Sequence, residues 1–102
     1  MLYTVKITTN TTEKTPKNPL HMVFFVITKK AFKKAVDRNR VKRRARKAFM
    51  DAFSSIQQDV FLTALQKKRI IFYLERDMIH EVYSHIVLQM KSDLSKLIKK
   101  HV

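Results

Sequence analysis

The chain has 102 residues, 45% of them hydrophobic, and carries 22 Lys and Arg against 8 Asp and Glu, a formal net charge of +14. That length suits one domain, residues 1–102, with a single modest core, and a charge of that size opposes compaction unless an anionic partner neutralises it. The lack of cysteine and of glycine excludes disulfides, cysteine zinc sites, thiol nucleophiles and glycine-rich phosphate loops, and the longest apolar runs, 22–27 and 70–74, are too short to span a bilayer.

Residues 2–8 alternate, with Tyr3, Val5 and Ile7 on one face and Thr4, Lys6 and Thr8 on the other. This is the pattern of a half-buried strand. Residues 10–20 are polar, contain Pro16 and Pro19, and read as a flexible loop. Residues 22–28 (MVFFVIT) are almost continuously apolar, which predicts a central strand buried on both faces. A short basic connector leads to a helix expected to start near Asp37, whose carboxylate suits a helix N-terminus. Its apolar stripe is Val41, Ala45, Ala48, Phe49, Ala52, Phe53 and Ile56, a 3.6-residue period, and it runs to about Asp59 or on to Leu65. A third strand covers 70–74. A last amphipathic helix covers 78–100 through Ile79, Val82, Ile86, Met90, Leu94 and Leu97. The order strand, strand, helix, strand, helix predicts an α+β domain with helices on one face of a sheet.

Residues 29–47, KKAFKKAVDRNRVKRRARK, hold 11 of the 22 basic residues and one acid, Asp37. The basic set is Lys29, Lys30, Lys33, Lys34, Arg38, Arg40, Lys42, Arg43, Arg44, Arg46 and Lys47. An ordinary charge run is a solvated face, but eleven cations to one anion need a counter-charged partner. Arginine supplies a planar fork for phosphate oxygens and a plane that stacks on bases, and Asn39 adds a donor and an acceptor. A membrane surface fits less well, because the stripe behind the charges is alanine-rich and suited to packing on a sheet. RNA is favoured over DNA by the adjacent pairs Phe24-Phe25 and Phe72-Tyr73. The outward member of each pair is available to stack on unpaired bases.

Other chemistry finds little support. His80 and His85 are not at the i,i+4 spacing of paired metal ligands, no carboxylate cluster accompanies them, and the acids are scattered singly. No metal site and no protein-based nuclease centre is expected. The basic residues toward the end of the last helix, Lys91, Lys96, Lys99, Lys100 and His101, complement the negative end of its dipole or, in the alternative, extend the RNA footprint.

The stretch from Phe24 to Phe49 resembles the bacterial ribonuclease P protein family. It has Lys29-Lys30 after a strand, then Lys33-Lys34-Ala35, an acid at Asp37, and Arg38-Asn39-Arg40-Val41-Lys42-Arg43-Arg44-Ala45-Arg46, the form of that family's Arg-Asn-Arg helix. The layout beyond the motif extends the resemblance over about residues 2–100. It implies an α/β sandwich with a left-handed βαβ crossover, and a non-catalytic subunit of an endoribonuclease, a hydrolase whose catalytic RNA matures the 5′ end of precursor tRNA. Mg²⁺ would be held through that RNA, and the protein itself would bind no cofactor. By carry-over, Arg38, Asn39, Arg40, Lys42, Arg43 and Arg46 contact the catalytic RNA, and Lys29 and Lys30 lie close to it. Phe25, Ile27 and Tyr73 are candidates for the cleft that takes the single-stranded 5′ leader.

Two departures bear on that expectation. The family carries an N-terminal segment before its first strand that helps wall the leader cleft, whereas this chain begins almost at the strand, which predicts an incomplete leader site. The glycine often found where the second strand begins is Phe24 here. An alternative is therefore a structural component or assembly factor that binds ribosomal RNA in an organellar or reduced ribosome. A generic nucleic-acid module is the third. The N-terminus lacks the layout of a secretory signal, and the expected location is the bacterial cytoplasm, or a mitochondrion or other organelle under the alternative.

Overall fold

The computed structural model describes residues 2–9, 22–65 and 68–101. Strand β1 is Tyr3–Thr9 and β2 is Val23–Val26. Helix α1 is Ala35–Ser54 and α2 is Gln58–Ala64. Strand β3 is Lys68–Leu74, a short 3-10 helix is Arg76–Ile79, and α3 is Tyr83–His101. The loop expected at 10–20 lies outside the described residues.

The sheet is mixed and three-stranded, in the order β1-β3-β2. β1 runs antiparallel to β3, with Val5 opposite Phe72, and β2 runs parallel to β3, with Phe25 opposite Phe72. The expected alternation in β1 holds through Ile7: Tyr3 is buried, Val5 and Ile7 are half-buried, and Thr4 and Lys6 are exposed, while Thr8, expected outside, is half-buried. The central strand is β3, with Ile70, Phe72 and Leu74 buried. The expectation that the 22–28 segment is central is corrected, because β2 is an edge strand among the described residues. Among the described residues no helix covers its second apolar face, which carries Phe24, 44% exposed, with the Arg69 guanidinium 5.5 Å from its ring centre.

Register alone divides the sheet into two faces, since successive side chains alternate. Tyr3, Val5, Ile7, Val23, Phe25, Ile70, Phe72 and Leu74 face the helices. Thr4, Lys6, Phe24, Val26, Ile71 and Tyr73 share the opposite face.

On the helix side α1 buries the predicted stripe, Val41, Ala45, Ala48, Phe49, Ala52 and Phe53. The alanines remove bulk where the helix meets its neighbours, and Phe49 supplies it at the centre. The Phe49 ring lies 6.4 Å from Phe25, 6.0 Å from Phe53 and 6.2 Å from Phe72. α3 closes the core with Ile86, Met90 and Leu94, all fully buried. The Tyr3 hydroxyl donates to the Asp93 carboxylate, tying β1 to α3. Burial and that carboxylate both push the Tyr3 phenol well above its ordinary range.

Three helix boundaries differ from the sequence reading, each for a local reason. α1 begins at Ala35, so Asp37 lies in the first turn, where it still meets the positive end of the dipole. α1 stops at Ser54 because the Ser54 and Ser55 hydroxyls donate back to the Asp51 carbonyl, at 2.8 and 3.2 Å, an alternative to continued helix. The last helix is interrupted: the Glu81 carboxylate accepts the Val82 backbone N–H at 2.9 Å, and α3 starts afresh at Tyr83. That bond, and then the contact with His85, holds the Glu81 carboxyl below the usual range.

Phe49→Ala is expected to cost about 3–5 kcal/mol and to lower the urea midpoint accordingly. An unchanged midpoint would contradict the central place of this ring.

Candidate nucleic-acid interface

Burial of the alanine-rich stripe decides where the charges of α1 go. With positions 41, 45, 48, 49 and 52 inward, the helical repeat of 3.6 residues sends 39, 40, 42, 43, 46 and 47 outward. Asn39, Arg40, Lys42, Arg43, Arg46 and Lys47 are all exposed. They form a ridge along one side of the domain. Lys29, Lys30, Lys33 and Lys34 continue it through the connector, also exposed.

Arg38 and Arg44 differ from this set. Both are half-buried: Arg38 follows the phase of the stripe one turn before Val41, and Arg44 lies on its flank. Arg38 Nη1 donates to the carbonyls of Phe32 at 2.9 Å and Lys33 at 3.2 Å. Arg44 Nη1 donates to the carbonyls of Met78 at 3.1 Å and Ile79 at 2.7 Å, and its Nη2 to the Glu81 carbonyl. Arg44 therefore leaves the outward set in which the sequence reading put it. Its guanidinium satisfies carbonyls at the end of the 3-10 helix that have no partner within so short a helix.

The connector is equally fixed. Phe32 is buried to 1% exposure, its N–H bonds the Thr28 carbonyl at 3.0 Å, and the Ala31 N–H bonds the Thr28 hydroxyl at 3.2 Å. Between this turn and the 3-10 helix lies an inlet of about 340 Å³. Lys30, Lys34 and Arg40 line one part and Arg76 and His80 another, with Asp37 also in the wall. Sequence reading missed Arg76 as part of any site and weighed His80 only as a metal ligand. Nothing in the local pattern marks them, because the chain folds the 3-10 helix beside α1 from some forty residues downstream.

The three cleft candidates do not come together. Phe25 faces the helices, stacked on Phe72 at 5.5 Å, and Ile27 packs against the core beside it. Tyr73, 37% exposed, is on the opposite face. The β2 residue that shares Tyr73's face is Phe24 rather than Phe25. The open face thus presents two rings and the Arg69 guanidinium, groups able to stack on unpaired bases.

At the seam of α1 and α3, the Tyr83 hydroxyl donates to the Asp51 carboxylate and Lys47 Nζ lies 5.5 Å above the Tyr83 ring centre. Desolvation, then the bond to Asp51, pushes the Tyr83 phenol up to about 12. No group of three or more His, Cys, Asp or Glu among the described residues is arranged to hold a metal ion. No helix among them is long and apolar enough to cross a membrane.

A small α+β domain with helices against a mixed three-stranded sheet is consistent with the ribonuclease P protein fold. The family model described as Ribonuclease P matches residues 2–101, and the chain belongs to that family. This ties it to ribonuclease P and to tRNA processing. No curated protein and no solved structure matches the chain.

The raised Tyr83 pKa has a testable sign. The folded state holds the phenol proton more tightly than the unfolded state. The stabilisation is therefore complete below an ordinary tyrosine value of 10.0 and is lost as pH rises through about 12. The stability difference between the native chain and Tyr83→Phe should stay constant up to about pH 10 and shrink above it. A difference that stays flat through about pH 12 would show that the Asp51 contact does not hold the proton.

Proposed function

We propose that this chain is the RNA-binding protein subunit of ribonuclease P, assisting a catalytic RNA in the 5′ maturation of precursor tRNA. The observation that carries the reading is the ridge of Arg40, Lys42, Arg43, Arg46 and Lys47, exposed along a helix whose other face is buried. Its length is helical, about 1.5 Å per residue, so the charges from Arg40 to Lys47 span roughly 10 Å, comparable with a few phosphates of an RNA strand. Guanidinium forks on that ridge bond phosphate oxygens of the catalytic RNA and release its counterions.

In this reading the inlet and the open sheet face serve the substrate. The cations around the inlet take a phosphate of the single-stranded 5′ leader, and Phe24 and Tyr73 stack on its unpaired bases. The chemistry belongs to the RNA and the Mg²⁺ it binds. The protein lowers the concentration of Mg²⁺ needed, because its own cations screen repulsion between substrate and catalytic RNA.

Cleavage of a 5′-extended tRNA precursor by a ribonuclease P catalytic RNA, with and without the protein, tests this directly. The triple variant Arg40→Gln, Arg43→Gln, Arg46→Gln should fold normally. It should lose the stimulation at low Mg²⁺ and recover it at high Mg²⁺. The slope of log affinity against log salt should fall by about 3. A triple variant that stimulates cleavage as well as the native chain would overturn the proposal.

A further inference from the structure

We propose that Arg38 and Arg44, two arginines of the basic motif, are positioning residues that hold the two cationic walls of the inlet at a fixed separation. The inference rests on the RNA-binding reading above and deepens it.

The starting point is a repulsion. Lys30, Lys33, Lys34 and Arg40 share a space of about 340 Å³ with Arg76 and His80, against the single carboxylate of Asp37. One wall combines the 28–34 turn with Arg40 of α1, and the other is the 76–81 segment, far from both in sequence. Like charges across a small gap drive such walls apart. Side-chain placement alone cannot resist this, because long Lys and Arg side chains swing outward at little cost. The backbone beneath them must be fixed.

Each wall is fixed from α1 by one arginine. Arg38 binds the carbonyls of Phe32 and Lys33, between Lys30 and Lys34. Arg44 binds the carbonyls of Met78, Ile79 and Glu81, which bracket His80 and follow Arg76. Arg38 commits Nη1, and Arg44 both Nη1 and Nη2, to neutral carbonyls of the protein, so the motif divides by task. Arg40 reaches the inlet, while its neighbours two residues before and four residues after hold the walls. A site whose cations are already held in place loses less freedom when an anion arrives. An RNA phosphate is the anion that the proposed function brings to it.

A charge-conserving substitution separates this role from direct contact. Lysine at position 44 would still bind phosphate as a point charge if the side chain faced RNA, but it lacks the planar fork that spans several carbonyls. The probe is a 5′-extended tRNA precursor transcript, titrated with the full chain across about 50–200 mM salt. Arg44→Lys should weaken binding by roughly five- to tenfold and lower the salt slope by about 1, although the net charge is unchanged. The pair Arg76→Gln with His80→Gln should cause a similar loss, and adding Arg44→Lys to that pair should cause no further loss. Arg38→Lys against Lys34→Gln repeats the cycle on the other wall and serves if the Arg44 variant does not fold. Native affinity and slope in Arg44→Lys, or losses that add, would overturn the inference and leave the RNA reading standing. Failure of the native chain to bind the transcript at all would sink the reading of the inlet as a site for the substrate, and this inference with it.

Discussion

The structure depends on how one helix holds seven cations in a short stretch of chain, next to four more in the connector before it, without coming apart. The counterweight is on its other face. Val41, Ala45, Ala48, Phe49 and Ala52 are fully buried, and Phe49 joins rings from β2, β3 and α1 itself. Burial of that stripe contributes through apolar area, of the order of 25 cal/mol per Å², a term insensitive to salt. The repulsion on the outer face is screened by salt and by any polyanion. The two faces therefore respond differently to conditions. The core keeps the helix seated when the ridge is bare, and a polyanion on the ridge adds stability by binding the folded chain.

The same division explains why the arginines are not interchangeable. Position 38 continues the phase of the buried stripe one turn before Val41 and position 44 borders it, and at both a guanidinium is partly desolvated. Each finds backbone carbonyls and ties a flanking segment to α1. Positions 40, 43 and 46 point away and have only solvent or a partner to meet. Helical phase assigns the tasks, and composition alone would score all of these arginines alike. Membership of the ribonuclease P family supplies the kind of partner such a ridge would face.

Much of the fold was legible in the sequence because periodicity reports burial. The alternation of Tyr3, Val5 and Ile7 and the stripe from Val41 to Phe53 came through intact. The position of β2 did not, since an apolar run says that side chains are hydrophobic, not that both faces are covered. Phe24 stays open beside Arg69. The break after Ser54 was hidden because it comes from two hydroxyls competing for the Asp51 carbonyl. The basic ridge was legible as a motif. Arg44's partners were not, because they lie 34 to 37 residues away in the chain. The choice between Phe24 and Phe25 needed the parallel register with β3, which no local pattern encodes.

The central claim is that the ridge on α1 serves ribonuclease P, and the most direct measurement is to crosslink the tagged protein in its native cells and sequence the RNA bound to it. The account predicts enrichment of a ribonuclease P catalytic RNA together with tRNA precursors extended at their 5′ ends. Enrichment of ribosomal RNA at one discrete site, without either of those, would contradict it.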